Sequence, residues 1–385
     1  SDDNGGEDTL SVYVDLMDET ILYGTINGEL TSDHSPYILI DNVRVPDEQS
    51  LEIGPGVEII VSQAPRDTVN HEVERMRSFT VEGELIVSGE LNQPVIIRGD
   101  CPEQFTEHWK GIDILPGEEN VLLSFLNVSN ADTALYIRNR DEIQMIGCGI
   151  RYCEETGVVI DTCSITYFDD CVFEYTTFGL ETYHINELYI NESRFNNCPN
   201  IGVKSRFCND VQVFNNEFKD IGYGRDLEVG VTVRNATNLT IMENLFHRNR
   251  NAIEGNQVES SLIQNNTITG NIIGIDLHAD TIVIKQNIIS DHSGWGIYQC
   301  RSNYLIQNNL VANNTGNFRS RRGWPEGLAI LDSVNVNGDS CDTYGNIYLP
   351  TNFIGFGPRP FATGSLSPGI DAGDPEESPD PDGSV

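Results

Sequence analysis

Eight segments of this chain repeat one pattern at a short, nearly constant interval. Their closing apolar residues are Ile150, Phe173, Phe195, Phe218, Phe246, Ile268, Ile289 and Val311, in steps of 23, 22, 23, 28, 22, 21 and 22 residues. A second register follows each, a small residue before an apolar one: Gly157, Gly179, Gly202, Gly230, Ala252, Gly274, Gly296 and Gly327, with Gly111 and Ala134 upstream. A fixed period of this kind means units that bury their apolar face only by stacking on neighbours. No helical periodicity fills the repeat. Asn, Gly, Ile, Val and Thr dominate it, so each unit reads as short strands with apolar side chains inward and polar ones outward. The LxxLxLxxN pattern of leucine-rich repeats, which share the period, is absent. The expected fold is all-β: a parallel β-solenoid whose coils lie about 4.8 Å apart.

Equivalent residues then form columns. Two places before the aligned apolar residue stand Cys148, Cys171, Ser193, Asn216, Asn244, Asn266, Asn287 and Asn309. This predicts an internal asparagine ladder capped by cysteines, because stacked amides satisfy one another and the turn backbone. A second column reads Cys153, Thr176, Cys198, Ile221, Asn249, Asn271, His292 and Asn314. The nine cysteines contain no CxxC pair and no zinc spacing. Cys148 and Cys171, on adjacent coils, fall within disulfide reach and are expected as stacked thiols; Cys153–Cys198 and Cys163–Cys208 are two coils apart and out of reach.

The asparagine column, LEIGPGVEIIV (51–61), GELIVSGELNQPVIIRG (83–99) and WKGIDI (109–114) resemble the right-handed parallel β-helix proteins of the pectin-lyase-like superfamily. SPGIDAGDPEESPDPDG (367–383) resembles the terminal segment of many secreted bacterial β-helix proteins. The resemblance covers about residues 37–383 and implies a right-handed coil. It leaves activity open, because the superfamily includes lyases, hydrolases, epimerases, adhesins and inert spacers. The chain then divides into a flexible acidic tail (1–9), an N-terminal cap (10–50), the β-helix (51–349) and a C-terminal wrap or linker (350–385).

The net charge is −36, and only Lys110, Lys204, Lys219 and Lys285 are lysines. Such a surface repels nucleic acid and anionic lipid and suits salty or cation-rich surroundings. No apolar run is long enough to cross a membrane. The opening SDDNGGED resembles the acidic tether after the acylated cysteine of bacterial surface lipoproteins, which implies a lipid anchor upstream of Ser1; a generic acidic tail is the alternative. The expected location is the outer cell surface or the exterior.

Chemistry is sought on the strand after the repeated small residue. In Gly274-Ile-Asp-Leu-His, Ile275 and Leu277 point in while Asp276 and His278 point out. One outward column is then Glu181, Lys204, Thr232, Glu254, Asp276, Tyr298, Ala329, and its neighbour Tyr183, Arg206, Arg234, Asn256, His278, Cys300, Leu331. The turns from Phe218 to Gly230 and from Val311 to Gly327 are longer than the rest, and loops of this kind usually serve function. The first carries Tyr223, Arg225 and Asp226; the second carries Arg319, Arg321, Arg322 and Trp324. Two such walls predict a cleft for a few units of an anionic polysaccharide. Eliminative cleavage would use Arg234 with Arg206 or Lys204 against the uronate carboxylate, and His278 or Tyr298 as base. Asn256 and the arginines would bind substrate, and Glu254 with Asp276 would hold Ca²⁺ or form a hydrolase pair. The NTD, GHG and RIK motifs of polygalacturonase-type hydrolases are missing, which ranks a lyase above a hydrolase. The rival expectation is a non-catalytic solenoid, self-associating as a stalk, filament or surface-layer component.

Overall fold

A computed structural model describes residues 20–62, 76–102, 108–222, 228–298, 303–320, 323–335, 338–355, 361, 363, 367 and 368. It divides into two compact units, Ser1–Cys163 and Ser164–Val385. Among the described residues the only helix is the single turn Ser32–His34, and no helix is long and apolar enough to cross a membrane.

In the first unit, each coil contributes strands to three parallel stacks. One runs Ser50–Ile53, Glu84–Ser88, Val121–Ser124; a second runs Glu58–Val61, Val95–Gly99, Leu126–Ser129, Gly149–Arg151; a third runs Ser78–Val81, Gly111–Ile114, Thr133–Ile146. Parallel pairing already begins at Thr20–Thr25 against Tyr37–Val45, within the stretch expected to cap the solenoid. Alternation sets the interior: Leu51, Ile53, Ile59, Val61, Phe79 and Ile97 have no exposed surface. One buried cation was not foreseen. Arg140, its side chain 1% exposed, donates to the carbonyls of Leu115, Glu82 and Gly83 and pairs with Glu119 at 2.8 Å. It thereby satisfies loop carbonyls that the solenoid leaves without strand partners.

The second unit repeats the plan with longer bent strands, among them Phe178–Asn191, Val229–Met242, Asn251–Gln264 and Ile273–Lys285. The first three bend at one residue in left-handed backbone, His184, Asn235 and Gln257; the fourth is one residue shorter there and lacks it. A second corner of the coil is made by Asn215, Glu243, Asn265, Gln286 and Asn308, and the next residue in each case is an inward asparagine. These amides restore the hydrogen bonds that the corner interrupts. Asn244 Nδ2 donates to the carbonyls of Val213 and Met242, each at 2.8 Å, and to Asn266 Oδ1 at 3.0 Å. The same contacts link Asn216 to Asn244, Asn266 to Asn287, and Asn287 to Asn309. The run continues to Asn346, which the repeat had not indicated, and ends on the fully buried carboxylate of Asp342. The other inward column is similarly joined through Asn249, Asn271, His292 and Asn314.

Aromatic rings fill the interior beside the amides. Phe173, Phe195, Phe218 and Phe246 stack with centroids 4.6, 4.9 and 4.8 Å apart and planes within 6°. The strand spacing dictates that distance, since the residues stand in register on successive coils. The described cysteines are thiols rather than disulfides, and Cys148, Cys153, Cys163, Cys171, Cys198 and Cys208 are buried. Burial pushes the thiols of Cys153 and Cys198 up to about 12, so they serve as small apolar core groups.

Candidate functional site

The outward face of the second unit follows from strand register. Glu181, Lys204, Thr232, Glu254, Asp276 and Tyr298 are consecutive partners in parallel pairs. Tyr183, Arg206, Arg234, Asn256 and His278 form the adjoining column. The two columns expected from the repeat are therefore brought together as far as these residues. Beyond Tyr298 the expected register fails. Tyr298 pairs with Arg319 of the strand Gly316–Arg319, not with Ala329. Ala329 and Leu331 lie outside the described strands and are exposed. Sequence alignment took Gly327 as the repeated glycine, but Gly316 and Asn317 already resume the face after a turn of ordinary length.

With that register the turn before Gly316 is not enlarged. Arg319 is a residue of the face itself, and Trp324 follows the strand. Its ring is held edge-on by Tyr304 and Phe318, at 5.4 and 5.3 Å. The insertion after Phe218 is real, since Ile201 pairs directly with Val229. Its Tyr223, Arg225 and Asp226, together with Arg321, Arg322 and Cys300, lie outside the described residues. Among the described residues the face carries a small hollow, about 70 Å³, lined in part by Lys204, Arg206, Thr232, Arg234 and Glu254.

The charges here are unequally matched. Lys204 pairs with Glu181, and its ammonium lies 5.0 Å from the centre of the Phe178 ring and 5.9 Å from that of Tyr183. Arg234 Nη2 donates to Glu254 Oε1 at 3.1 Å. Arg206 stands between Tyr183 and Arg234 in register, has no ion pair among the described residues, and keeps its Nε buried without an acceptor there. Arg319 places its guanidinium 5.2 Å from the Trp295 ring and 5.4 Å from the Tyr298 ring. Asp276 is mostly buried. Burial first, then the Glu254 carboxylate on the adjacent strand, pushes its carboxyl up to about 7. Its Oδ1 lies 3.6 Å from His278 Nε2, too far for a hydrogen bond, and finds no such partner among the described residues.

Among the described residues, Glu254 and Asp276 gain no third carboxylate, histidine or cysteine to complete a calcium site. One is engaged by Arg234, the other tends to neutrality, and no group of three or more His, Cys, Asp or Glu among the described residues is placed to hold a metal ion. Calcium favours six to eight oxygen ligands. Sequence reading also missed a third column, one residue before each repeated small residue. It carries Phe178 and Trp295, the rings beneath Lys204 and Arg319. The constant offset from Gly179 and Gly296 was the available signal.

Comparison with known proteins agrees with this architecture. A model described as right handed beta helix region matches residues 133–281, and one described as periplasmic copper-binding protein (NosD) matches residues 223–346. The chain folds as a right-handed parallel β-helix. The copper in the second description has no counterpart among the described residues. His292, within that match, is buried with Nδ1 accepting from the Asn271 N–H, and the described residues contain no cluster of metal-binding side chains. No curated protein matches the sequence. Among solved structures, the chain is similar to ORF18 of Geobacillus virus E2 (10% identity, 73% of this chain and 52% of that one, TM-score 0.37). It is also similar to tailspike protein 3 of bacteriophage CBA120 (12% identity, 74% and 53%, TM-score 0.40). A third is a mannuronic acid specific polysaccharide family 6 lyase from human gut microbiota (12% identity, 70% and 77%, TM-score 0.28). The chain spans about half the length of the two phage proteins.

Proposed function

We propose that this face of the second unit binds an extended, acidic polysaccharide at the cell surface or outside the cell. One observation carries the reading. Lys204, Arg206 and Arg234 line a single hollow in a chain of net charge −36, and Arg206 has no acidic partner among the described residues. An unmade hydrogen bond from a buried polar group costs about 1–3 kcal/mol, which a ligand carboxylate or sulfate at Arg206 would recover. A carboxyl at Asp276 that is largely neutral below about 7 leaves less negative charge to repel the polymer. Trp295 and Tyr298 add flat surfaces suited to sugar faces.

The test is calorimetric titration of alginate, pectate and sulfated glycans in saline, calcium-containing buffer. Arg206→Ala is expected to weaken binding about tenfold or more with melting unchanged. Arg234→Ala is expected to do less, because it also frees Glu254. If the parent protein binds none of these polymers, a non-catalytic structural or adhesive solenoid becomes the better account. Cleavage is a second reading, favoured by the Asp276 carboxyl and His278 imidazole side by side at 3.6 Å. A carboxyl that titrates near neutrality can move a proton in elimination at ordinary pH. Unsaturated product released by the parent and not by Asp276→Asn is the expected sign; binding without release leaves the face a binding site only.

A further inference from the structure

The strand that carries Lys204 and Arg206, Ile201–Arg206, is followed at once by Phe207. Register places Phe207 at the same corner as His184, Asn235 and Gln257, one residue beyond the partners Tyr183, Arg206, Arg234 and Asn256. All four corner residues are in left-handed backbone. Asparagine tolerates that conformation through its short polar side chain, whereas a bulky phenylalanine is strained there. Phe207 is also 53% exposed, the one exposed phenylalanine among the described residues. Other corners carry aromatic residues, at Phe125, Tyr152 and Tyr175, but none of these follows a cation of the proposed face. An exposed ring at this corner serves neither backbone nor core. Departures of that kind from a local rule gather at functional sites.

The setting of the ring defines what it can take. One face stacks on His184, with centroids 5.3 Å apart and planes within 8°. The next corner along the column is Asn235, which brings no ring to cover the other face. A flat group stacked there lies at the Asn235 corner, beside Arg206 and Arg234 of the hollow. Arg206 and Phe207 are consecutive, about 3.8 Å apart at the backbone, so cation and ring act on one unit of a ligand. That suits a sugar whose carboxylate is attached to the ring itself: the C–H face of the pyranose meets the phenyl ring while the carboxylate meets the guanidinium. A polyphosphate offers charge but no such face. We infer that Phe207 is a sugar-stacking residue of this face and makes it selective for polymers of hexuronate over other polyanions. The inference rests on the polysaccharide-binding reading above and adds the class of sugar to it.

The experiment titrates the full chain with pectate, alginate and polyphosphate by calorimetry, comparing the parent with Phe207→Asn and Phe207→Trp. Phe207→Asn gives the corner the residue type of position 235. It should weaken binding of the uronate polymers about tenfold, with the melting temperature unchanged or raised. Phe207→Trp should keep uronate binding, because it keeps a flat apolar face. Polyphosphate should bind the parent more weakly than the uronates do, and neither substitution should change that. Uronate binding indifferent to Phe207→Asn, an equal loss of polyphosphate binding, or a lowered melting temperature in that variant would each overturn the inference while leaving the binding face in place. A parent that binds neither pectate nor alginate would overturn both.

Discussion

His292 shows how one substitution in an inward column sets a chemical liability. Asparagine occupies the equivalent place at positions 249, 271 and 314. The imidazole takes over the acceptor role, with Nδ1 receiving the Asn271 N–H at 3.1 Å, but its Nε2 is buried without a partner among the described residues. Burial pulls its pKa down to about 4. An unfolded chain protonates histidine near pH 6.5, by the usual value of about 6.5. Between those limits the unfolded state binds the extra proton, so stability falls as pH drops from about 6.5 toward 4, by an amount on the order of 3 kcal/mol. His292→Asn restores the amide and should flatten that part of the stability–pH curve, measured by denaturant unfolding at pH 7 and pH 4.5. The same slope in parent and variant would show that His292 is not buried in neutral form. Asp276 has the opposite sign: its carboxyl stays protonated to about 7, so its contribution to stability is lost as pH rises through that value.

At the scale of the element, the bent strand and its corner make one unit. A left-handed residue turns the chain, and the asparagine after it, as in Asn215–Asn216 and Asn265–Asn266, bonds the carbonyls left open. The aligned aromatic then packs against its equivalents above and below. Phe218 lies between Phe195 and Phe246 with no exposed surface. Phe218→Ala should cost about 3–5 kcal/mol, whereas Phe218→Leu should cost less because it leaves a smaller void. Hydrogen exchange would localise the effect. Faster exchange confined to the strands around residues 195, 218 and 246 is expected, because each coil contacts chiefly its neighbours. A uniform change across the chain would argue against nearest-neighbour stacking.

For the whole molecule, 59 acidic residues against 23 basic ones oppose compaction. Added salt shortens the reach of that repulsion, from about 30 Å at 0.01 M to about 3 Å at 1 M. The melting temperature should therefore rise with NaCl, while polymer binding at Arg206 should weaken only modestly because a close guanidinium–carboxylate pair is little screened. A melting temperature indifferent to salt would mean the acidic groups are already neutralised locally. Several other surface cations are spent locally, as in Arg44–Glu82, Arg98–Glu58, Arg138–Asp113, Arg248–Asp220 and Arg250–Glu228. Arg206 differs from these in having a buried Nε with no acceptor among the described residues.

The repeat alone determined the coil, the inward amide and aromatic columns, and the alternation that turns Lys204, Arg206, Arg234, Asp276 and His278 outward. These follow from chain connectivity and a period that strand geometry must respect, so they are legible residue by residue. Tertiary structure decided what lies beyond the register. Gly316–Arg319, not Gly327, continues the face, because strand pairing obeys backbone hydrogen bonds rather than the spacing of small residues. Arg140 and Asn346 find their partners across folded turns that no local pattern predicts. Glu254 is claimed by Arg234, and burial pushes the Asp276 carboxyl up to about 7. Sequence gives the order of side chains along a column; only packing fixes which of them meet, which are desolvated and which keep a charge for a ligand.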